Sequence, residues 1–234
     1  MFEQLGLDLT ARTWGGKREG AGRKKSGTRD PSHRPRPKHV ARNPLHVVLR
    51  VKESVGRLRR REVYAGAHRA LLQIAARIAF RVVHMSIQHN HLHLLVEAAD
   101  NDALESGMRA LTISLAKRIN KSLGRSGKVF EHRYHSTPLT SPRQTRNALA
   151  YVLNNWRRHR EDERGFDERT MPLDPYSSAI SFRGWADFSA GVDQWPDVID
   201  EPLPVSPPQT WLLGVGWELA KRSIRTSDTP GPID

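Results

Sequence analysis

The pattern of this chain predicts an α+β domain: a ferredoxin-like split β-α-β antiparallel sheet with an extra C-terminal helix. Three observations carry that prediction. Short runs rich in β-branched and aliphatic residues recur at 45–51, 80–87 and 91–98, and 128–135 reads as a fourth strand. The segments between the first and second runs, and between the third and fourth, repeat their apolar residues at helical spacing. The resulting order is β-α-β-β-α-β followed by a last helix, which is the split βαβ layout.

Each element has its own warrant. Leu45-His46-Val47-Val48-Leu49-Arg50-Val51 reads as the first strand. From about Val55 to Ile78, residues Leu58, Tyr64, Ala67, Leu71, Ile74 and Ile78 mark the core face of a helix. Phe80 to Ile87 is the second strand and His91 to Ala98 the third, joined by a tight connection at His89-Asn90. Asp102 is a fitting N-cap for a second helix that runs to about Leu123, and Gly124 stops it. Its apolar stripe is Leu104, Met108, Leu111, Leu115 and Ile119. Lys128 to His135 is the fourth strand. Ser141-Pro142-Arg143-Gln144 places Ser at the N-cap, Pro at N1 and Gln at N3, and so opens a third helix, to about Arg160. In this layout the first and third strands are central, and the third helix is free to cover the sheet face that the first two helices leave open.

Outside the domain, 43–165, lie two segments of different character. Residues 1–42 form a basic arm, and within it 12–42 are rich in Gly, Pro and like charges and cannot bury enough surface to fold. Residues 166–234 are an acidic extension containing proline and tryptophan. Met171 to Ser178 reads as turns, Trp185, Trp195, Trp211 and Trp217 as anchors, and Trp217 to Arg222 as a short helix. Pro202, Pro204, Pro207 and Pro208 favour an extended path between them.

The charge is uneven. Of the net +13, residues 1–42 contribute +7 and 43–165 contribute +12, while 166–234 carry −6. Such a basic excess favours a polyanionic partner, and nucleic acid is the common one. The acidic extension, if it docks, would compete with phosphates for the basic surface. No cysteine is present, so disulfide scaffolds and Cys-based zinc sites are excluded. Met1-Phe2-Glu3-Gln4-Leu5-Gly6 lacks a signal-peptide pattern, and no apolar run reaches the ~20 residues of a membrane helix. These features predict a soluble, cytoplasmic protein with no membrane contact.

The chemistry concentrates at two places. In the third strand, alternation puts His91 and His93 on one face and Leu92, Leu94 and Val96 on the other. Imidazoles two residues apart on a strand stand roughly 7 Å apart and can both reach one divalent cation. His89 shares their parity but falls in the turn, while His46 and His84 stand alone on strands and read as packing histidines. In the third helix, Tyr151 and Asn155 are one turn apart and share a face. Taken alone, that pair is as well explained by an amphipathic helix with a core tyrosine. The helix ends in Trp156-Arg157-Arg158-His159-Arg160, basic and aromatic, as phosphates and stacked bases require.

Asn90-His91-Leu92-His93-Leu94-Leu95-Val96 in its strand, followed by Tyr151-Val152-Leu153-Asn154-Asn155 in a helix, resembles the single-tyrosine HUH transposases, and among them the REP-associated tyrosine transposase branch. Gly127 to Tyr134 adds to the resemblance, which spans roughly residues 39–185. Two departures are visible: His89 stands where the family often has proline, and Trp156 follows the Tyr-x-x-x-Asn where proline is frequent.

The resemblance implies a transposase or endonuclease that cuts and rejoins single-stranded DNA through a 5′-phosphotyrosine, at sites flanked by hairpins. Tyr151 would be the nucleophile on the extra, catalytic helix. His91, His93 and Asn155 would bind Mg²⁺ or Mn²⁺, and the protein would act as a monomer or homodimer. Candidate DNA contacts are Arg23, Lys24 and Lys25 in the arm, and Arg42, Arg50, Lys117, Arg118, Lys121, Arg133, Arg157 and Arg158 in the domain. Two rivals share parts of the pattern. One is a domesticated hairpin binder without activity, against which the intact His91, His93, Tyr151 and Asn155 count. The other is a replication or transfer nickase, whose chains carry further domains or tyrosine pairs.

Overall fold

The computed structural model describes residues 38–163, 171–188 and 201–231, all within the compact unit Arg36–Asp234. The arm residues Arg23, Lys24 and Lys25 and the anchor Trp195 lie outside the described residues.

Four strands, β1 (Leu45–Arg50), β2 (Phe80–Ile87), β3 (His91–Ala98) and β4 (His135–Pro138), form one antiparallel sheet in the order β2-β3-β1-β4. The chain is α+β, with β1 and β3 at the centre as the alternation predicts. Helices α1 (Arg61–Ala75) and α2 (Asn101–Ser122) cover one face. There Val47, Leu49, Leu92, Leu94 and Val96 meet Leu71, Met108, Leu111 and Leu115 in a closed core. Helix α3 (Pro142–Arg158) takes the other face, packing Leu149, Val152 and Leu153 with Leu95 and Val83. A register shift between Val82 and His84 in β2 leaves Val83 as the extra residue. It buries against the α3 side, whereas Val82 stays with the α1 and α2 core.

Several boundaries differ from the sequence reading, each for a local reason. The first helix begins at Arg61, not Val55, because Glu53–Val55 is a separate 3-10 turn ended by Gly56 at φ 74. Leu58 still reaches the core, but from the connecting loop, where its N–H donates to the His89 carbonyl at 2.8 Å. Ile78 falls after the helix and is 87% exposed, so it is not a core residue. Asp100, not Asp102, caps α2, accepting from the Ala103 N–H at 2.7 Å. Gly124 follows the helix at φ 59, the left-handed turn that stops it.

The fourth strand is split. Lys52 donates to the Val129 carbonyl and Glu131 to the Arg50 carbonyl, so 129–131 lie along the extension of β1. The chain then bows outward and rejoins at His135, opposite Val48. The bowed segment carries the exposed His132 and Arg133. At the start of α3 the expected cap is present: Ser141 accepts from the Gln144 N–H at 3.2 Å. Gln144 reaches back to the Thr140 N–H at 2.9 Å, one residue earlier than a capping box would place it.

The C-terminal segment packs on the α3 side. Leu213, Trp185, Trp217 and Ile224 are buried with Phe182 against α3. A short helix, α4 (Trp211–Gly214), leads into a 3-10 turn, Gly216–Ala220. Trp211 itself is 56% exposed, so it anchors less than its type suggests. The buried Glu97 carboxylate on β3 accepts from the Gln209 N–H and from the Thr210 N–H and hydroxyl, and pairs with Arg81 at 3.3 Å. Among the described residues, no helix is long and apolar enough to cross a membrane.

Candidate active site

The site forms where α3 crosses the open face of β3. Alternation on β3 turns His91 and His93 toward α3, since Leu92 and Leu94 are committed to the opposite core. Residues four apart on α3 present Tyr151, Asn155 and His159 along one line. The two lines run beside each other. The Tyr151 ring stands 5.1 Å from the His93 ring, edge-on, and the His159 ring 5.4 Å from the His91 ring. Asn155 lies between Tyr151 and His159 in this line and is fully buried. The structure thus brings Tyr151 to the histidine pair, with Asn155 one turn further along the same helix face.

The polar atoms of this group are informative. His91 Nδ1 is 2.8 Å from Asn90 Oδ1, so it donates and leaves Nε2 as the ring's lone pair. His93 Nδ1 is 3.0 Å from His46 Nε2, and His93 Nε2 is buried without a hydrogen-bond partner. Asn155 is fully buried, and both its amide atoms are without a partner. Buried polar atoms left unpaired cost about 1–3 kcal/mol each, so such a cluster calls for an explanation. A divalent cation held by two imidazole nitrogens and an amide oxygen would supply one. Among the described residues no group of three or more His, Cys, Asp or Glu is placed to hold a metal, so the amide oxygen is indispensable to such a set.

Burial keeps the histidines neutral. It pushes the His91 pKa down to about 4, helped by His159, Arg50 and His89. His46 also falls to about 4, by burial and then the nearby His135 and His91. His93 is held well below its ordinary value by burial, His46, His91 and His159. Neutral imidazole is the form that binds metal.

α3 is locked in place by apolar packing and by polar ties at both ends. Trp156 is fully buried. Arg59, itself buried, pairs with Asp174 at 2.9 Å and lies 3.8 Å from Glu161, just beyond the helix. Near the N-terminal end, Arg146 donates to the carbonyls of Arg222 and Ser223 and pairs with Asp228 at 3.2 Å.

The cations expected to touch DNA separate into groups. Arg158 lies beside the site, its guanidinium 5.7 Å over the Tyr151 ring, and it donates to the Pro230 carbonyl. Arg50 is exposed at the end of β1 opposite His91 and pairs with Glu131 at 3.3 Å. Arg157 donates to Thr226 O, Asp162 and Pro172 O, so protein groups engage all three of its nitrogens. Lys117, Arg118 and Lys121 are on α2, across the sheet from the histidines. Arg42 and Arg133 are exposed, and Arg133 lies on the bowed segment before β4.

His46 is the residue that the sequence reading misplaced. It is not an isolated packing histidine: its ring stacks on His93 at 5.1 Å and lies 6.0 Å from the Tyr151 ring. A signal was available. If Val47 and Leu49 face one core, His46 faces the other side, and antiparallel pairing of the two central strands makes that the side of His93. His84 is a packing histidine, hydrogen-bonded to Ser178 Oγ at 3.0 Å.

The family model described as "Transposase IS200 like" matches residues 39–155, half of the chain. The matched stretch begins just before β1 and ends at Asn155, so it holds the sheet, His91, His93 and Tyr151. The chain belongs to the IS200-like transposase family, and its role is that of a DNA-cleaving transposase. Among solved structures, it is similar to a REP-associated tyrosine transposase bound to a REP hairpin, with 17% identity and a TM-score of 0.49, covering 69% of this chain and 97% of that one. It is also similar to a protein of Deinococcus radiodurans R1 described as a transposase, with 17% identity and a TM-score of 0.35, covering 47% and 86%. No curated protein matches the chain.

Proposed function

We propose that this transposase breaks and rejoins single-stranded DNA by transesterification, with Tyr151 as the nucleophile. The observation that carries the reading is Tyr151 and Asn155 on one face of α3, with the Tyr151 ring against His93 on β3 and with His93 Nε2 and Asn155 Oδ1 both buried and without hydrogen-bond partners.

His91 Nε2, His93 Nε2 and Asn155 Oδ1 would hold a Mg²⁺ or Mn²⁺ ion. When bound, the cation polarises a non-bridging phosphate oxygen and so makes the phosphorus easier to attack. The chain's own residues do the rest. Tyr151 is half-buried, so its hydroxyl can meet DNA while its ring is held edge-on by His93 and His46. Its oxygen attacks in line. A bond forms between Tyr151 Oη and phosphorus, and the bond from phosphorus to the 3′-oxygen breaks. The tyrosine proton leaves to a base, and the departing 3′-oxygen takes a proton. The products are a 5′-phosphotyrosine and a free 3′-hydroxyl. Attack by another 3′-hydroxyl reverses the exchange and joins a new end without ATP, because the phosphodiester energy is kept. Arg158 and Arg50 flank the site and are the domain cations best placed for the scissile strand.

The partner we propose is single-stranded DNA with a hairpin beside the cut. The test is incubation of the full chain with a hairpin-bearing oligonucleotide from the flanks of its gene, in Mn²⁺. A covalent protein–DNA adduct is expected, and Tyr151→Phe should abolish it while hairpin binding persists. An adduct of undiminished yield in Tyr151→Phe overturns the assignment. Binding without any adduct in the wild type would favour a non-catalytic hairpin binder instead.

A further inference from the structure

His46 lies on β1, 47 residues from His93 in sequence, yet the two rings stack with planes 19° apart and their Nε2 and Nδ1 atoms 3.0 Å apart. Both residues are buried, so no water competes for this contact. One proton lies between two nitrogens, and there are two ways to place it. If His46 Nε2–H donates, His93 carries its proton on Nε2. That N–H is then buried with no acceptor within hydrogen-bond reach, since His93 Nε2 has no hydrogen-bond partner. A buried donor without a partner is costly. If His93 Nδ1–H donates to His46 Nε2, the unpaired atom is a lone pair, aimed into the cluster where Asn155 Oδ1 is also unpaired.

We infer that His46 is a positioning residue that fixes His93 as the Nδ1–H tautomer and so presents its Nε2 lone pair to a divalent cation. This rests on the reading of His91, His93 and Asn155 as the cation's ligands. His46 then does for His93 what Asn90 Oδ1 does for His91, accepting from Nδ1–H at 2.8 Å. Metal-bound imidazoles characteristically donate their second nitrogen in this way, and the partner's loss typically lowers metal affinity about 10–100-fold. An imidazole as second partner is less usual than a carboxylate.

The test uses the full chain and Mn²⁺ alone. Mn²⁺ affinity is measured by calorimetry and by the loss of free-ion EPR signal for wild type, His46→Leu, His46→Gln and His93→Ala. His46→Leu removes the acceptor and should weaken binding about 10–100-fold with thermal unfolding still cooperative. His46→Gln, whose amide oxygen can accept from Nδ1–H, should recover most of it. In parallel, imidazole nitrogen–carbon correlation spectra of the metal-free wild type should report His93 with its proton on Nδ1. Wild-type affinity in His46→Leu, or His93 protonated on Nε2 in the metal-free protein, overturns the inference. The tautomer measurement decides even if His46→Leu does not fold. If His93→Ala leaves Mn²⁺ binding unchanged, the ligand reading fails, and the tautomer still reports on His46 separately.

Discussion

At the scale of single residues, the histidines show how one side chain is given different work by its surroundings. His84 and His46 both sit on strands with their pKa values pushed down to about 4, chiefly by burial. His46 meets the Nδ1 of His93, while His84 is hydrogen-bonded to Ser178 and stands nearly at right angles to the Phe182 ring. A depressed histidine pKa makes stability depend on pH. Between about pH 6.5 and 4 the unfolded chain takes up a proton that the folded chain refuses, so stability falls as pH drops through that window. His84→Asn keeps a group able to bond Ser178 and removes the titration. Its unfolding midpoint in urea should fall less than that of wild type between pH 7 and pH 4.5, the difference reaching a few kcal/mol at most. Parallel pH profiles for the two proteins would show that His84 is protonated in the fold.

At the scale of elements, the sheet and its helices meet through close contacts that tolerate little change. Gly107 on α2 is the tightest. A Cβ placed there would stand 2.1 Å from the Phe80 ring, which is itself fully buried at the start of β2. Gly107→Ala gains helix propensity of roughly 1 kcal/mol. Overpacking in a closed core costs typically 1–3 kcal/mol, and the contact is with a ring that cannot swing aside. The clash should win: Gly107→Ala is expected to lower the midpoint of thermal unfolding, with an equal or higher midpoint refuting the packing argument. α3 is held differently, by the buried Trp156 and by Arg59 and Arg146 near its ends. Tyr151 and Asn155 ride on the same helix, so a shift of α3 would move both relative to the histidines.

At the scale of the whole molecule, the C-terminal segment and the basic arm make opposite contributions. The segment after residue 200 buries Leu203, Leu212, Leu213, Trp217 and Ile224. Each such side chain is worth roughly 1.5–3 kcal/mol, and together they rival the ~5–15 kcal/mol net stability of a typical domain. Truncation near Gly191 would also remove the carbonyls that hold Arg146, Arg157 and Arg158. Loss of cooperative unfolding is expected from that truncation, measured by circular dichroism against temperature. A stably folded product that binds DNA more tightly at low salt would favour the other reading, an acidic segment competing with phosphates. For the arm we propose a contribution through charge. Residues 1–42 carry +7. Deleting them should flatten the salt dependence of DNA binding by about 0.7 log unit for each single-strand phosphate that the arm neutralises. An unchanged slope would show that the arm does not touch DNA.

The first three strands, the order of the helices and the pairing of Tyr151 with the strand histidines were legible in the amino-acid sequence, while the fourth strand, expected at 128–135, forms at His135–Pro138. Period-two alternation on β3 separates His91 and His93 from Leu92 and Leu94, and a step of four pairs Tyr151 with Asn155; both rules are local and hold wherever the element lies. Capping at Ser141 and the left-handed turn at Gly124 are local for the same reason. Features that depend on partners distant along the chain emerged only in the folded molecule. The split of the fourth strand is seen only in its pairing with β1 and the extension of β1. The segment beyond residue 200 is integral to the α3 side because Trp217, Leu213 and Ile224 find their cavity there, and no period in the sequence announces a cavity. His46 is the clearest case. Its partner lies 47 residues away, and the 3.0 Å contact exists only once β1 and β3 have found their register.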